Sequence, residues 1–172
     1  MSLSLKVDLR VILVPYDSSS FSENALEYAV YLAKAIFSGD PKKRIIKIVI
    51  IHVVEEISFA KTLLDKLKSN RDNSGHSFNE HANSIYRETK TLMQKDIEEK
   101  KKSYKSIKGI KLQSYILHGD PANQIIDYSN NNRVDLIVMG SNGLQGLAKI
   151  RGLGSVSRKV SESVSCAVTI IR

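Results

Sequence analysis

The chain has 172 residues, 42% of them hydrophobic and 26% charged, with a formal net charge of +8 and a single cysteine, Cys166. That length buries a full core in one domain, and a lone cysteine excludes an internal disulfide as a staple. No apolar run approaches the ~20 residues that span a bilayer, and the opening MSLSLKVDLRVILVP lacks the segments of a secretory leader, so a cytoplasmic domain with no membrane partner is expected.

Residues 11–14 are apolar and mostly β-branched, and they meet Pro15, which cannot donate to a sheet ladder. A first strand should therefore end there. Ser20 and Glu23 then fit a capping box, and Ala25, Leu26, Ala29, Val30, Ala33 and Ile36 form an apolar stripe at helical spacing. After the breaker SGDPKK, the run RIIKIVIIHVVEE reads as a strand buried on both faces.

A flexible insertion is expected around residues 57–80 of a single 1–172 domain, because SNRDNSGHSFNEH is polar and carries a glycine. His76 and His81 there, with Asp72 and Glu80, make a poor metal site, since a mobile loop lacks rigid geometry. Helical periodicity resumes with Ala82, Ile85, Leu92, Met93 and Ile97. Much of the positive charge lies in KDIEEKKKSYKSIKGIK, where Lys is mixed with Asp and Glu at helical spacing as on a solvated helix face. No zinc-ligand spacing or RNA-binding signature accompanies it, so no specific nucleic-acid partner is expected.

IKLQSYILHGDP reads as a third strand and turn, ANQIIDYSNNN as a short helix, and RVDLIVMG as a fourth strand. Val156, Val160 and Val164 mark one face of a helix, and CAVTIIR closes as a fifth strand. Strands alternating with helices predict an α/β domain, a five-stranded mostly parallel sheet with helices on both faces. Ligands of such sheets bind beyond the carboxyl ends of the strands, where strand order reverses. The residues to watch are 15–17, 52–54, 118–121 and 139–143.

Five of the nine glycines fall within residues 140–154. They match neither a P-loop nor a dinucleotide fingerprint. Two readings stand: glycines 140 and 143 admit a polyphosphate beside a helix start at Gly154 and Ser155, or they serve turns and helix–sheet packing. Asp17 is likewise a ligand acceptor or a turn residue, and Ser155 is a good N-cap with or without ligand. His52 and His118 read as satisfied structural residues, and Cys166 as a small core residue.

Taken in order, VILVPYDSSSFSENALEYAVYLA, VIIHVVE, LHGDPANQIID and DLIVMGSNG…GLGSVSRKVSESVSCAVTII resemble the universal stress protein family over nearly the whole chain. The resemblance implies a Rossmann-like fold and membership of the ATP-binding branch. Asp17 matches the carboxylate at the base or ribose end of the nucleotide, with Pro15 and Tyr16 on the neighbouring wall and Val53 against adenine. Met139, Gly140, Asn142 and Gly143 match the loop beneath ribose and phosphates, and Gly154, Ser155 and Val156 the helix start that holds them.

The resemblance also implies ATP bound with slow or no hydrolysis, any Mg²⁺ held through phosphate oxygens, and a nucleotide-dependent switch acting on a protein partner. It implies a homodimer through residues 166–171. The spacer over residues 144–153 is one residue longer than the family's motif, which leaves a non-ATP-binding interaction module as the alternative. An enzyme of adenylate chemistry is a third reading, disfavoured because PYDSSSFS lacks an SGGxDS pattern.

Overall fold

The computed structural model describes residues 8–54, 78–143 and 152–172. Five strands, β1 (Val11–Pro15), β2 (Ile46–Val54), β3 (Ile110–His118), β4 (Leu136–Gly140) and β5 (Ala167–Ile171), form one sheet in the order β3-β2-β1-β4-β5. Every pairing is parallel, as the alternation of strands and helices requires. The helices are α1 (Ser20–Gly39), α2 (Phe78–Tyr104), α3 (Pro121–Asn131) and α4 (Ser155–Ser163).

Side chains alternate across the sheet, so each strand feeds two cores. Ile12, Val14, Ile48 and Ile50 face α1 and Ile97 of α2, while Leu13, Val49, Ile51 and Ile137 face Ile125 of α3 and Val160 of α4. The α1 stripe docks through Ala25, Leu26, Ala29, Val30 and Ala33, all buried, and three alanines let the helix lie close to the strands. Truncating any of the fully buried isoleucines to alanine would cost about 2–5 kcal/mol.

Helices α1 and α2 begin elsewhere than expected. The N-cap of α1 is Ser19 rather than Ser20, its hydroxyl accepting from the Ser22 amide at 3.2 Å. Every residue from 18 to 20 is serine, so composition could not choose among them; the turn after β1 did. Helix α2 begins at Phe78, so residues 78–81, expected in a loop, are helical. The remainder of the expected insertion, 57–77, lies outside the described residues. Among the described residues no helix is long and apolar enough to cross a membrane.

At the opposite end of the sheet from the strand carboxyl ends, Asp40 closes α1 and gathers cations. Its carboxylate accepts from Arg44 Nε at 3.0 Å, Arg10 Nη1 at 3.3 Å and the amides of Lys42 and Arg44. The Arg44 guanidinium, more than any other group, holds the Asp40 carboxyl well below the usual range. Asp135 Oδ2 accepts from the amides of Arg10 and Val11, both at 2.8 Å, which pins the start of β1 beside β4.

Candidate functional site

Strand order reverses at β1, which leads outward to β2 and β3 on one side and is flanked by β4 and β5 on the other. The β1–β4 ladder runs only through Ile12–Leu136 and Leu13–Ile137, although β1 continues to Pro15 and β4 to Gly140. The ladder does not continue beyond those pairs, and the crevice in which ligands of such sheets bind lies at the carboxyl ends of these two strands. Residues 15–17 form one lip and residues 139–143 the other.

The first lip is a turn held from three sides. Tyr16 donates its amide to the Ile51 carbonyl at 2.8 Å, and His52 Nδ1, protonated to suit a carbonyl acceptor, donates to Tyr16 O at 2.9 Å. His52 is buried and satisfied, as the sequence reading expected of it. Asp17 turns its carboxylate along the start of α1, where Oδ1 accepts from the Ser19 hydroxyl at 2.6 Å and the Ser19 amide at 3.1 Å. Thus Asp17 is a turn residue as well as a candidate ligand. Val53 lies two residues past Ile51, the partner of Pro15, on the rim beside this turn.

The second lip is stitched to α4. Ser141 donates its amide to Ile171 O at 2.7 Å, and its carbonyl accepts from the Gly154 amide at 2.8 Å and the Ser157 hydroxyl at 2.9 Å. Gly154, not Ser155, is the N-cap of α4, and it supplies no side-chain cap bond. The first-turn amides of α4 therefore lack the usual capping oxygen from their own cap residue, while Ser155 is exposed beside them.

Glycines 140 and 143 have different reasons to be glycine. A Cβ on Gly140 would stand 2.7 Å from Phe21 Cβ and 2.9 Å from the Phe21 carbonyl carbon, so this glycine lets α1 pack on β4. A Cβ on Gly143 would meet Asp17 Oδ2 at 2.5 Å, on the open side of the crevice. The two lips meet there, carboxylate against bare backbone.

A model of the family described as "Universal stress protein family" matches residues 9–172. The chain belongs to the universal stress protein family. It is 31% identical to the universal stress protein YxiE of Bacillus subtilis over 161 residues, 94% of this chain and 97% of that one. Its fold is similar to the universal stress protein UspA from Lactobacillus plantarum, with a TM-score of 0.72 at 21% identity, covering 95% of this chain and 97% of that one. It is also similar to a universal stress protein family protein from Arabidopsis thaliana with AMP bound, at a TM-score of 0.56 and 18% identity, covering 94% and 90% of the two chains.

In this universal stress protein the residues singled out from sequence sort by where their side chains go. Asp17 stands against Gly143, and Asn142 against Gly154, whose helix begins at Ser155. Val53 and Val156 are half-buried, packed against the core on the α3–α4 side. Met139 is buried in that core, so only its backbone belongs to the lip. Tyr16 points through to the α1–α2 side, where its hydroxyl bonds Asp96 Oδ2 at 2.9 Å. Burial, and then the Asp96 bond, push the Tyr16 phenol far above the ordinary range for tyrosine.

Three contributing side chains were not singled out in the sequence. Ser141 and Ser157, both buried, tie the second lip to α4. Asp96 reaches the first lip from α2, accepting from Ser18 Oγ at 2.5 Å as well as from Tyr16. Its signal was available: Met93, Asp96, Ile97 and Lys100 share one helical face, and an acid set in that inward stripe needs a partner.

Proposed function

We propose that this universal stress protein binds ATP in the crevice between β1 and β4 and acts as a nucleotide-dependent switch, with slow or no hydrolysis. The observation that carries the reading is the meeting of Asp17 with Gly143 at the point of strand reversal, next to a helix start capped only by glycine. These residues suit a nucleotide. A carboxylate at one lip would accept from a ribose hydroxyl or the exocyclic amine. Backbone at residues 142–143 and the first turn of α4 would present amides to phosphate oxygens, with the Ser155 hydroxyl alongside. Pro15 and Val53 supply apolar walls.

The AMP held by the Arabidopsis family member supports a nucleotide as the ligand class. Mg²⁺ would be held chiefly through the phosphates, as that ion usually is. Asp17 Oδ1 is engaged by Ser19, which favours a binding role over general-base chemistry. The site has its cytoplasmic setting by inference from the reduced, lone Cys166. A homodimer through residues 166–171 fits the same reading, since β5 is an edge of the sheet and carries Val168, Ile170 and Ile171.

Calorimetry with ATP and AMP on the full chain tests the proposal. ATP should bind more tightly than AMP, and Ser155→Ala should cost about 1 kcal/mol, one hydrogen bond among several. No heat with either nucleotide, and no nucleotide retained in native mass spectra, would overturn it in favour of an interaction module.

A further inference from the structure

Ser18 has a φ of 62°, in the left-handed region that non-glycine residues rarely occupy. It is the residue after Asp17, so its backbone sets the direction in which the turn carries that carboxylate. Something must offset the strain, and the contacts of Ser18 show what does. Its hydroxyl donates to Asp96 Oδ2 at 2.5 Å and lies 3.4 Å from Met93 Sδ. The same Asp96 oxygen accepts from Tyr16 OH at 2.9 Å, so one carboxylate on α2 grips the residues on both sides of Asp17. Glu23, which the Tyr16 hydroxyl also approaches at 3.4 Å, is neutralised by Lys100 at 2.9 Å, one turn along α2.

We propose that Asp96 is a positioning residue for the nucleotide site: from α2 it clamps Ser18 and Tyr16, and so holds Asp17 against Gly143. The inference rests on the nucleotide reading above. It also gives α2 a means of acting on the site. Any displacement of α2 that frees Ser18 lets the turn relax to negative φ and swings Asp17 out of the crevice. A bound nucleotide, by fixing Asp17, favours the clamped position of α2 in return.

The test compares variants of the full chain by calorimetry with ATP and by amide hydrogen exchange without ligand. Asp96→Ala should weaken ATP binding about ten-fold, the scale set by releasing one strained residue. Asp96→Asn, which keeps an acceptor oxygen, should lose less. Ser18→Ala and Ser18→Gly both delete the hydroxyl but differ in tolerance of positive φ. Ser18→Ala should therefore lose more affinity than Ser18→Gly, and Asp96→Ala should cost little in the Ser18→Gly background.

Without nucleotide, Asp96→Ala should speed exchange at residues 17–22 and leave β1 protected. Unchanged ATP affinity in Asp96→Ala, or equal losses in Ser18→Ala and Ser18→Gly, would overturn the clamp. If the wild type binds no ATP, the nucleotide reading falls, and unchanged exchange at residues 17–22 would remove the clamp separately.

Discussion

Asp17 Oδ2 and the backbone of Gly143 are so close that a Cβ at residue 143 would stand 2.5 Å from that oxygen. The contact joins the turn after β1 to the loop after β4, two segments far apart in sequence. It is made at the one place in the sheet where strand order reverses.

Gly143→Val should therefore displace the Asp17 carboxylate and fill the approach to the phosphates. Residue 143 is exposed and the sheet should stay folded, with a cost of about 1 kcal/mol for disturbing the Asp17–Ser19 hydrogen bonds. ATP affinity should fall more than ten-fold. Calorimetry paired with thermal unfolding separates the two effects, and wild-type ATP affinity in the variant would show that this glycine serves a turn.

Gly140 makes the opposite prediction. Its missing Cβ faces Phe21, including the helix backbone, which cannot step aside as a side-chain tip can. Gly140→Ala should cost about 1–3 kcal/mol of stability through overpacking between α1 and β4. Urea unfolding measures this directly. A stability equal to that of the wild type would mean that α1 is free to shift.

Asp40 predicts an acid-dependent loss of stability at the far end of the sheet. Its folded pKa is depressed, first by Arg44, so its contribution is present above the unfolded carboxylate value of about 4. That contribution is lost as pH falls from there toward the folded value. Asp40→Asn should be less stable than the wild type at pH 7, with the gap closing steadily below about pH 4. Melting temperatures across that range check it, and a gap independent of pH would sink it.

The proposed dimer can be tested at the backbone of β5. Ile171 O accepts from Ser141, toward β4, so in an extended strand the groups of Val168 and Ile170 point to the free edge. Their side chains, however, pack into the core on the α3–α4 side, so a lysine at either would unfold the monomer as well. Val168→Pro instead removes an edge-directed N–H and spares the β4 ladder. Light scattering should give a dimer for the wild type and a monomer for this variant. A wild-type monomer at micromolar concentration would exclude the dimer.

The elements themselves were legible in the sequence because each has a local cause. IKIVIIHVV is short, rich in β-branched residues and preceded by the breaker SGDPKK, which makes it a strand buried on both faces, and the α1 stripe has a helical period that no strand shares. The helix expected from ANQIIDYSNNN forms as well, starting one residue earlier at Pro121, where Asp120 Oδ1 caps it by accepting from the Asn123 amide at 2.9 Å. Parallel pairing and helices on both faces follow from the alternation of those elements.

What the sequence did not contain is relations between distant segments. Strand order, and with it the position of the crevice, depends on which strands share a ladder, and β1 pairs with both β2 and β4. Glycine has no side chain to announce its neighbour, so Gly140 and Gly143 look alike in the chain. Only packing separates the one against Phe21 from the one against Asp17. Ser18 likewise resembles Ser19 and Ser20 until the fold places Asp96 beside it, for strain at a single φ is sustained only by contacts that tertiary structure brings.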